Sequence, residues 1–161
     1  MNKKSIKIFV SIIFAVYIPA LIYVLFLSYR VGLFLIGAKP FSKEHFDMFL
    51  NLVPFKTEIE FFEMLTKNEI NTKTVVMNIG VNLVLFFPMG MALPVLFENK
   101  FNRLWKVMLF VGAVVIICEA IQFVTMRGSA DIDDVILNTV GSAAGYGIVH
   151  IKPIRKILKL N

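Results

Sequence analysis

Four stretches of the chain consist almost entirely of apolar residues, and each is long enough to form a helix that crosses a bilayer. They cover residues 8–28, 75–97, 104–126 and 132–150. The hydrocarbon core of a bilayer is about 30 Å thick, so a helix needs roughly twenty residues to span it. We therefore predict an all-α protein, a polytopic membrane helix bundle with about four transmembrane helices, folded as a single domain over residues 1–161.

The first stretch is better explained as an uncleaved anchor than as a signal peptide. Three lysines precede it, as in a signal peptide, but its apolar run is too long and no small-x-small cleavage pattern follows Tyr29. Pro19, Pro88 and Pro94 lie inside the predicted spans. Because proline removes a helical hydrogen bond, we expect kinks at these positions.

The composition excludes several classes of protein. Apolar residues make up 58% of the chain, which leaves too little polar surface for a soluble globule and too much apolar mass for a disordered chain. Cys118 is the single cysteine, so a disulfide-stapled scaffold and a multi-cysteine zinc site are excluded.

The basic residues predict the orientation of the bundle. With both termini in the cytoplasm, the cytoplasmic segments hold ten Lys and Arg residues and one acid, Glu98. Lys and Arg resist translocation, so this arrangement is favoured. Topology therefore explains the net charge of +6, with anionic lipids on the cytoplasmic side as partners, and nucleic-acid binding is not needed to explain it.

The long outer connection, residues 30–74, contains a mixed apolar and acidic segment at residues 58–65. Such a segment fits a helix lying along the membrane surface. An ordinary short helix packed on the bundle explains the same pattern.

Polar residues inside three predicted spans share one depth. They are Asn78 and Asn82 in the second span, Glu119 and Gln122 in the third, and Asp131, Asp134 and Asn138 at the start of the fourth. Arg127 lies between the last two spans, in a tight turn. A polar group in hydrocarbon needs a partner or a function, so we predict that these side chains meet near the outer face.

Structural explanations compete at several of these positions. Asp131 suits a helix N-cap, and Asp133 suits the first turn, where the helix dipole favours an acid; for Asp133 we favour this structural role. Gly141 and Gly145 are typical of close helix packing. The two asparagines could simply join helices, and Glu119 could form a structural ion pair with Arg127.

The predicted cluster permits some chemistry and excludes other kinds. His45 and His150 fall on opposite sides of the membrane, so no histidine-based triad follows. Two carboxylates in different environments can act as acid and base, and Arg127 can bind a phosphate or carboxylate with two hydrogen bonds. Alternatively, Glu119, Asp131 and Asp134 could hold Mg²⁺ through oxygen, although their spacing fits no defined metal loop.

Several motifs, in this order and spacing, resemble the VanZ-like membrane protein family. They are Asn51-Leu52-Val53-Pro54-Phe55, Asn78 and Asn82 with Phe86-Phe87-Pro88-Met89-Gly90, Glu119 and Gln122, Arg127, and residues 131–141 with Gly145. The resemblance covers most of the chain. It implies a multi-pass protein of the bacterial cytoplasmic membrane and cell envelope. The family's namesake is associated with resistance to teicoplanin-type glycopeptide antibiotics, but no catalytic mechanism comes with the resemblance.

Our leading hypothesis is an outward-facing pocket that recognises or modifies an anionic envelope component, such as a lipid-linked or peptide-bearing cell-wall precursor. Arg127 would bind the anionic group, and Glu119 and Asp134 would handle protons or hold a metal. The ligand would be oriented by Asn78, Asn82, Gln122, Asp131 and Asn138, with the Asn51 to Phe55 loop, including Pro54, folded onto the site. The alternative is a non-enzymatic protein with a structural polar cluster that binds a partner or shields a precursor. A transporter is less favoured, because four spans without inverted halves provide no alternating access. Cofactors, metal, ligand and oligomeric state are left open.

Overall fold

The computed structural model describes residues 2–27 and 41–160, and these residues are almost entirely helical. The helices are α1 Lys3–Ile22, α2 Lys43–Phe49, α3 Lys56–Thr66, α4 Thr72–Leu85, α5 Phe87–Leu96, α6 Leu104–Val124, α7 Ile132–His150 and α8 Lys152–Leu158. One π-helical turn, Tyr23–Leu27, continues α1. The all-α prediction is confirmed. The predicted end of the first span and the start of the outer connection lie outside the described residues.

The predicted second span consists of two helices. It breaks at Phe86, between α4 and α5, and Pro88 occupies the first turn of α5, where its missing N–H is tolerated. The Tyr17 hydroxyl of α1 donates to the carbonyl oxygen of Leu85 at 2.7 Å, which satisfies an acceptor at the end of α4. The expected irregularity at Pro88 is therefore observed, and the break is tied to α1.

Helix α7 lies at the centre and packs against α4, α5 and α6. A Cβ added at Gly141 would lie 1.9 Å from the carbonyl oxygen of Leu83, and one at Gly145 would lie 2.2 Å from that of Phe87. Gly90 of α5 makes the reverse contact, with 1.9 Å to the carbonyl oxygen of Ser142. Only glycine allows helix backbones to approach this closely. The predicted close packing at Gly141 and Gly145 is confirmed.

Two contacts show which ends of the helices lie together. Lys3 at the start of α1 forms a salt bridge of 2.7 Å with Glu98, in the turn between α5 and α6. The Tyr146 hydroxyl, in the last part of α7, donates to the carbonyl oxygen of Asn102 in the same turn at 3.1 Å. The start of α1, the α5–α6 turn and the end of α7 therefore share one end of the bundle.

Three stretches of the described helices are long and apolar enough to cross a membrane: Lys3–Leu27, Thr72–Leu96 and Leu104–Val124. Large apolar side chains such as Ile12, Val16 and Leu109 are exposed on them. A protein in water rarely exposes so many large apolar side chains, whereas lipid accommodates them. Helix α7, the predicted fourth span, is not among the three, so the number of spans stays a prediction.

Residues 43–66 form what we call the cap segment, which contains α2, α3 and the turn between them. Leu50–Asn51 pairs in parallel with Ala130–Asp131, just before α7. The helix expected at residues 58–65 is present as α3. The cap segment therefore covers the end of the bundle where α6 ends and α7 begins, which we call the polar end. Whether α3 lies along a membrane surface stays a prediction.

Candidate functional site

A small cavity lies at the polar end, between the end of α1 and helices α4, α6 and α7. Its volume is about 30 Å³, enough for a water molecule or a small polar group. Five of the predicted site residues line it: Asn82, Glu119, Gln122, Asp134 and Asn138. The structure therefore brings these side chains from three helices together at one level, as the sequence predicted.

Hydrogen bonds connect α4 and α7 at the cavity wall. The Asn82 side-chain amide donates to the Asp134 carboxylate in a very short contact. Asn138 donates through Nδ2 to the carbonyl oxygen of Asp134 at 2.7 Å and reaches Asn82 Oδ1 at 3.5 Å. Asn82, Asp134 and Asn138 thus form a continuous network across the two helices.

The two polar residues near the end of α6 bond in different directions. Glu119 accepts through Oε2 from the backbone N–H of Asp131 at 3.3 Å. Gln122 donates through Nε2 to the carbonyl oxygen of Leu25, in the π-helical turn after α1, at 2.7 Å. Gly128 lies over Gln122, since a Cβ there would be 3.2 Å from the Gln122 Cβ. The turn after α6 therefore packs directly on this glutamine.

Two buried amide oxygens in the cavity wall are unsatisfied. Gln122 is 2% exposed and Asn138 is 3% exposed. Gln122 Oε1 and Asn138 Oδ1 have no hydrogen-bond partner among the residues that the structure describes. Since buried polar atoms are nearly always paired, such acceptors call for a donor, such as water or a ligand group, that the described residues do not provide.

Arg127 is exposed beside the cavity and does not line it. Its Nη1 donates to the carbonyl oxygen of Phe26, in the π-helical turn, at 2.7 Å. The three salt bridges between described residues do not include Arg127. The Glu119–Arg127 ion pair that we considered from the sequence is not among them.

Asp131 links the cavity to the cap segment. It is the N-cap of α7, with Oδ1 accepting from the backbone N–H of Asp133 at 2.9 Å, as predicted. Its carboxylate also accepts from Asn51 Nδ2 at 2.9 Å and from the Thr57 hydroxyl at 2.6 Å. Because its backbone N–H binds Glu119, Asp131 joins the loop predicted from the Asn51 motif to the wall of the cavity.

Asp133 points away from the cavity and anchors the cap segment. It is 1% exposed. Its carboxylate accepts hydrogen bonds from the backbone N–H groups of Phe55 and Thr57, the latter at 2.9 Å. Phe55 has a left-handed backbone, with φ of 65°, which turns the chain into α3. The carboxylate therefore holds two N–H groups at the start of α3, a structural role in line with our expectation for Asp133.

Half-buried Glu58 of α3 lies beside the buried carboxylates of Asp131 and Asp133. Burial, a hydrogen bond with Asp133 and the charges of the two aspartates raise the pKa of the Glu58 carboxyl from 4.5 to about 7. Nothing in the sequence pattern indicated this contact, because Glu58 and Asp133 are far apart in the chain.

Some predicted residues lie elsewhere. Asn78 is half-buried one turn before Asn82, and Pro54 is exposed in the turn before α3. Neither is among the described residues that line the cavity. Within residues 2–27 and 41–160, no three His, Cys, Asp or Glu side chains are placed to hold a metal ion. The Mg²⁺ arrangement that we considered for Glu119, Asp131 and Asp134 is therefore not formed.

The histidines take no part in the cavity. His45 of the cap segment is fully buried and stacks on Phe123 of α6, with ring centroids 4.3 Å apart. His150 lies at the last residue of α7 and bonds the carbonyl oxygen of Tyr146 at 2.8 Å. The two histidines lie at opposite ends of the bundle, so the exclusion of a triad containing both is supported.

Comparison with known proteins identifies the family. Neither the curated proteins nor the solved structures contain a significant match to the chain. The three apolar helical stretches and the family match both indicate a membrane protein. The chain belongs to the VanZ/LLP1 family, which matches residues 14–153.

Proposed function

We propose that this protein recognises an anionic, lipid-linked component of the bacterial cell envelope at the outer face of the cytoplasmic membrane. The polar cavity at the end of an otherwise apolar bundle carries the proposal. A cluster of carboxylate and amide groups within membrane-crossing helices is costly to build, and in membrane proteins such clusters usually mark a binding site.

The charge distribution supports an outward polar end. The basic segments at the start of α1, in the α5–α6 turn and in α8 lie at the end of the bundle away from the cavity. Because basic segments stay in the cytoplasm, the cavity would open toward the outer leaflet. Envelope precursors anchored to a lipid carrier would reach it there.

Arg127 supports an anionic ligand. Its guanidinium is exposed, and its described acceptor, the Phe26 carbonyl oxygen, uses one of five N–H donors. The remaining donors suit a phosphate or carboxylate, which the planar guanidinium binds with two parallel hydrogen bonds. Resistance to teicoplanin-type glycopeptides, which the resemblance to VanZ-like proteins implies, would follow if the ligand is a cell-wall precursor.

Replacement of Arg127 tests this proposal. We expect Arg127→Ala to abolish any glycopeptide resistance that the wild-type protein confers on a susceptible host, and to weaken binding of anionic lipids by about tenfold or more, since charge-assisted hydrogen bonds contribute about 1.5–3 kcal/mol. Arg103→Ala, an exposed arginine at the other end of α6, is the matched control. Wild-type binding and resistance in Arg127→Ala, at equal protein levels, would contradict the proposal.

The second candidate is a non-enzymatic protein whose polar cluster only stabilises the bundle. The hydrogen bonds among Asn82, Asp134 and Asn138 favour it. A double-mutant cycle with Asn82→Ala and Asp134→Ala separates the candidates. A structural network predicts a coupling in unfolding free energy near the upper end of values in membrane proteins, about 1.7 kcal/mol, whereas a binding site predicts little coupling in stability and loss of ligand binding in both single variants.

A further inference from the structure

The orientation of two side-chain amides determines which chemical groups the cavity can accept. Gln122 Nε2 faces the carbonyl oxygen of Leu25, and Asn138 Nδ2 faces the carbonyl oxygen of Asp134, each at 2.7 Å. A carbonyl oxygen only accepts hydrogen bonds, so each amide must turn its nitrogen toward it. The oxygen atoms of Gln122 and Asn138 are therefore the ends left for a ligand.

Two carboxylates are among the other residues of the cavity wall, which is otherwise formed mainly by apolar side chains and the Cys118 thiol. The carboxylates of Glu119 and Asp134 line it, and the side-chain nitrogen of Asn82 is already bonded to Asp134. Acceptors in this surface attract an O–H or N–H donor and repel an anion. Arg127, which has only donors, lies outside the cavity. The polar end thus has an acceptor-lined subsite and a separate donor subsite.

These two subsites are neighbours. Gln122 and Arg127 bind the carbonyl oxygens of consecutive residues, Leu25 and Phe26. Consecutive Cα atoms are about 3.8 Å apart, so the anchoring points of the two side chains are separated by one residue of chain. The two subsites are therefore held by adjacent residues of one turn.

We propose that the cavity binds a hydroxyl or primary ammonium group of the ligand whose anionic group binds Arg127, an inference that rests on the proposed function. The volume of about 30 Å³ suits one small polar group of this kind. The ligand class is a lipid head group in which a phosphate lies a few ångströms from an O–H or N–H donor. A lipid with a bare phosphate, or with a quaternary ammonium, binds Arg127 but offers no hydrogen-bond donor to the cavity.

Four lipids distinguish the two subsites in the purified full-length protein. Phosphatidylglycerol and phosphatidylethanolamine carry a phosphate and a donor, phosphatidic acid carries a phosphate alone, and phosphatidylcholine has no head-group donor. We expect the first two to bind the wild-type protein about tenfold more tightly than the last two in nanodisc titrations, the difference of one hydrogen bond to a charged group. Phosphatidic acid is the most anionic of the four, so binding through charge alone would rank it first.

Replacement of the acceptors gives the second test. Gln122→Leu and Asn138→Leu are expected to weaken the binding of phosphatidylglycerol and phosphatidylethanolamine relative to that of phosphatidic acid, and so to remove the preference for donor-bearing lipids. Asn99→Leu, an exposed residue between α5 and α6, is the control. If a variant fails to fold, the lipid ranking of the wild-type protein alone decides.

The outcomes separate this inference from the proposed function. Suppose that Arg127→Ala weakens the binding of all four lipids, but the wild-type protein binds phosphatidic acid as tightly as phosphatidylglycerol or more tightly. The inference is then wrong, the cavity holds only water, and the proposed function stands. If Arg127→Ala changes the binding of none of them, the proposed function fails. A retained donor preference in both leucine variants would also overturn the inference.

Discussion

The two halves of α7 are held in the bundle by different means. Around Gly141 and Gly145 the helix backbones touch, and a single Cβ would collide with a carbonyl oxygen of α4 or α5. Around Asp131, Asp133 and Asn138 the contacts are hydrogen bonds between buried polar groups and other segments. The glycine half packs backbone against backbone, while the polar half lines a small cavity that contains unsatisfied acceptors. The comparison teaches that polar side chains gather where backbone packing stops.

The largest expected effect is in the glycine half. Gly141→Ala places a Cβ against the Leu83 carbonyl oxygen, an atom of a helix backbone that cannot rotate away, so α7 must move from α4. We expect a loss of about 3 kcal/mol in unfolding free energy, the upper part of the range for overpacked cores. Thermal unfolding in detergent measures it.

The control for this prediction is Gly147→Ala in the same helix, where a Cβ meets nothing within 4 Å. This variant should be neutral or more stable by up to about 1 kcal/mol, because alanine favours a helix over glycine. Equal stability of the two variants would show that the helices are not in backbone contact.

A smaller effect is expected at the cap segment. Asp133→Ala removes the carboxylate that accepts from the N–H groups of Phe55 and Thr57. We expect a loss of about 2 kcal/mol, since hydrogen bonds to charged groups contribute about 1.5–3 kcal/mol. Hydrogen exchange should become faster at residues 50–57 and stay unchanged at Gly141, which localises the effect to the polar half.

Asp47→Ala, an exposed acid of α2, is the matched control for Asp133. Unchanged exchange at residues 50–57 in Asp133→Ala would mean that the cap segment is held by other contacts, and the contrast between the two halves of α7 would then be weaker.

The smallest expected effect is a pH dependence of the cap segment. The pKa of Glu58 is about 7 in the folded protein, against 4.5 for an unperturbed carboxyl. A carboxyl with a raised pKa binds its proton more tightly in the folded state, so its contribution to stability is full below pH 4.5 and is lost as the pH rises through about 7. Amide protection in α3, corrected for intrinsic exchange, should therefore be greater at pH 5 than at pH 8.

Glu58→Gln keeps the neutral form at every pH and should remove this difference, whereas Glu69→Gln, an exposed acid beyond α3, should not. A pH dependence that persists in Glu58→Gln would assign the titration to another group.

Much of the fold follows from local sequence pattern. The apolar stretches correspond to α1, to α4 with α5, to α6 and to α7, since a long uncharged run has few stable alternatives to a helix. Asp131 is the N-cap of α7 and Pro88 lies in the first turn of α5, and these are the positions that their side chains favour. The meeting of Asn82, Glu119 and Asn138 at one level also followed from their depth in the predicted spans.

Contacts between distant segments were less predictable. Arg127 suggested a bridge to Glu119, but its guanidinium turns to the Phe26 carbonyl oxygen because the end of α1 lies beside it. The partners of Asp133 are backbone N–H groups at Phe55 and Thr57, which no side-chain pattern reveals. Asn78 shares a helical face with Asn82, yet the cavity ends before it.

The sequence by itself determined that the fold is predominantly helical, which helices are apolar and where along them the polar residues lie, because hydrophobicity and helical period act locally. Only the tertiary structure decided which way each amide and the guanidinium point, and hence that the cavity presents acceptors while Arg127 presents donors beside it. Hydrogen bonding is directional, so these choices depend on where a neighbouring segment places its carbonyl oxygens. That information resides in the packing of residues about a hundred positions apart, such as Leu25 with Gln122.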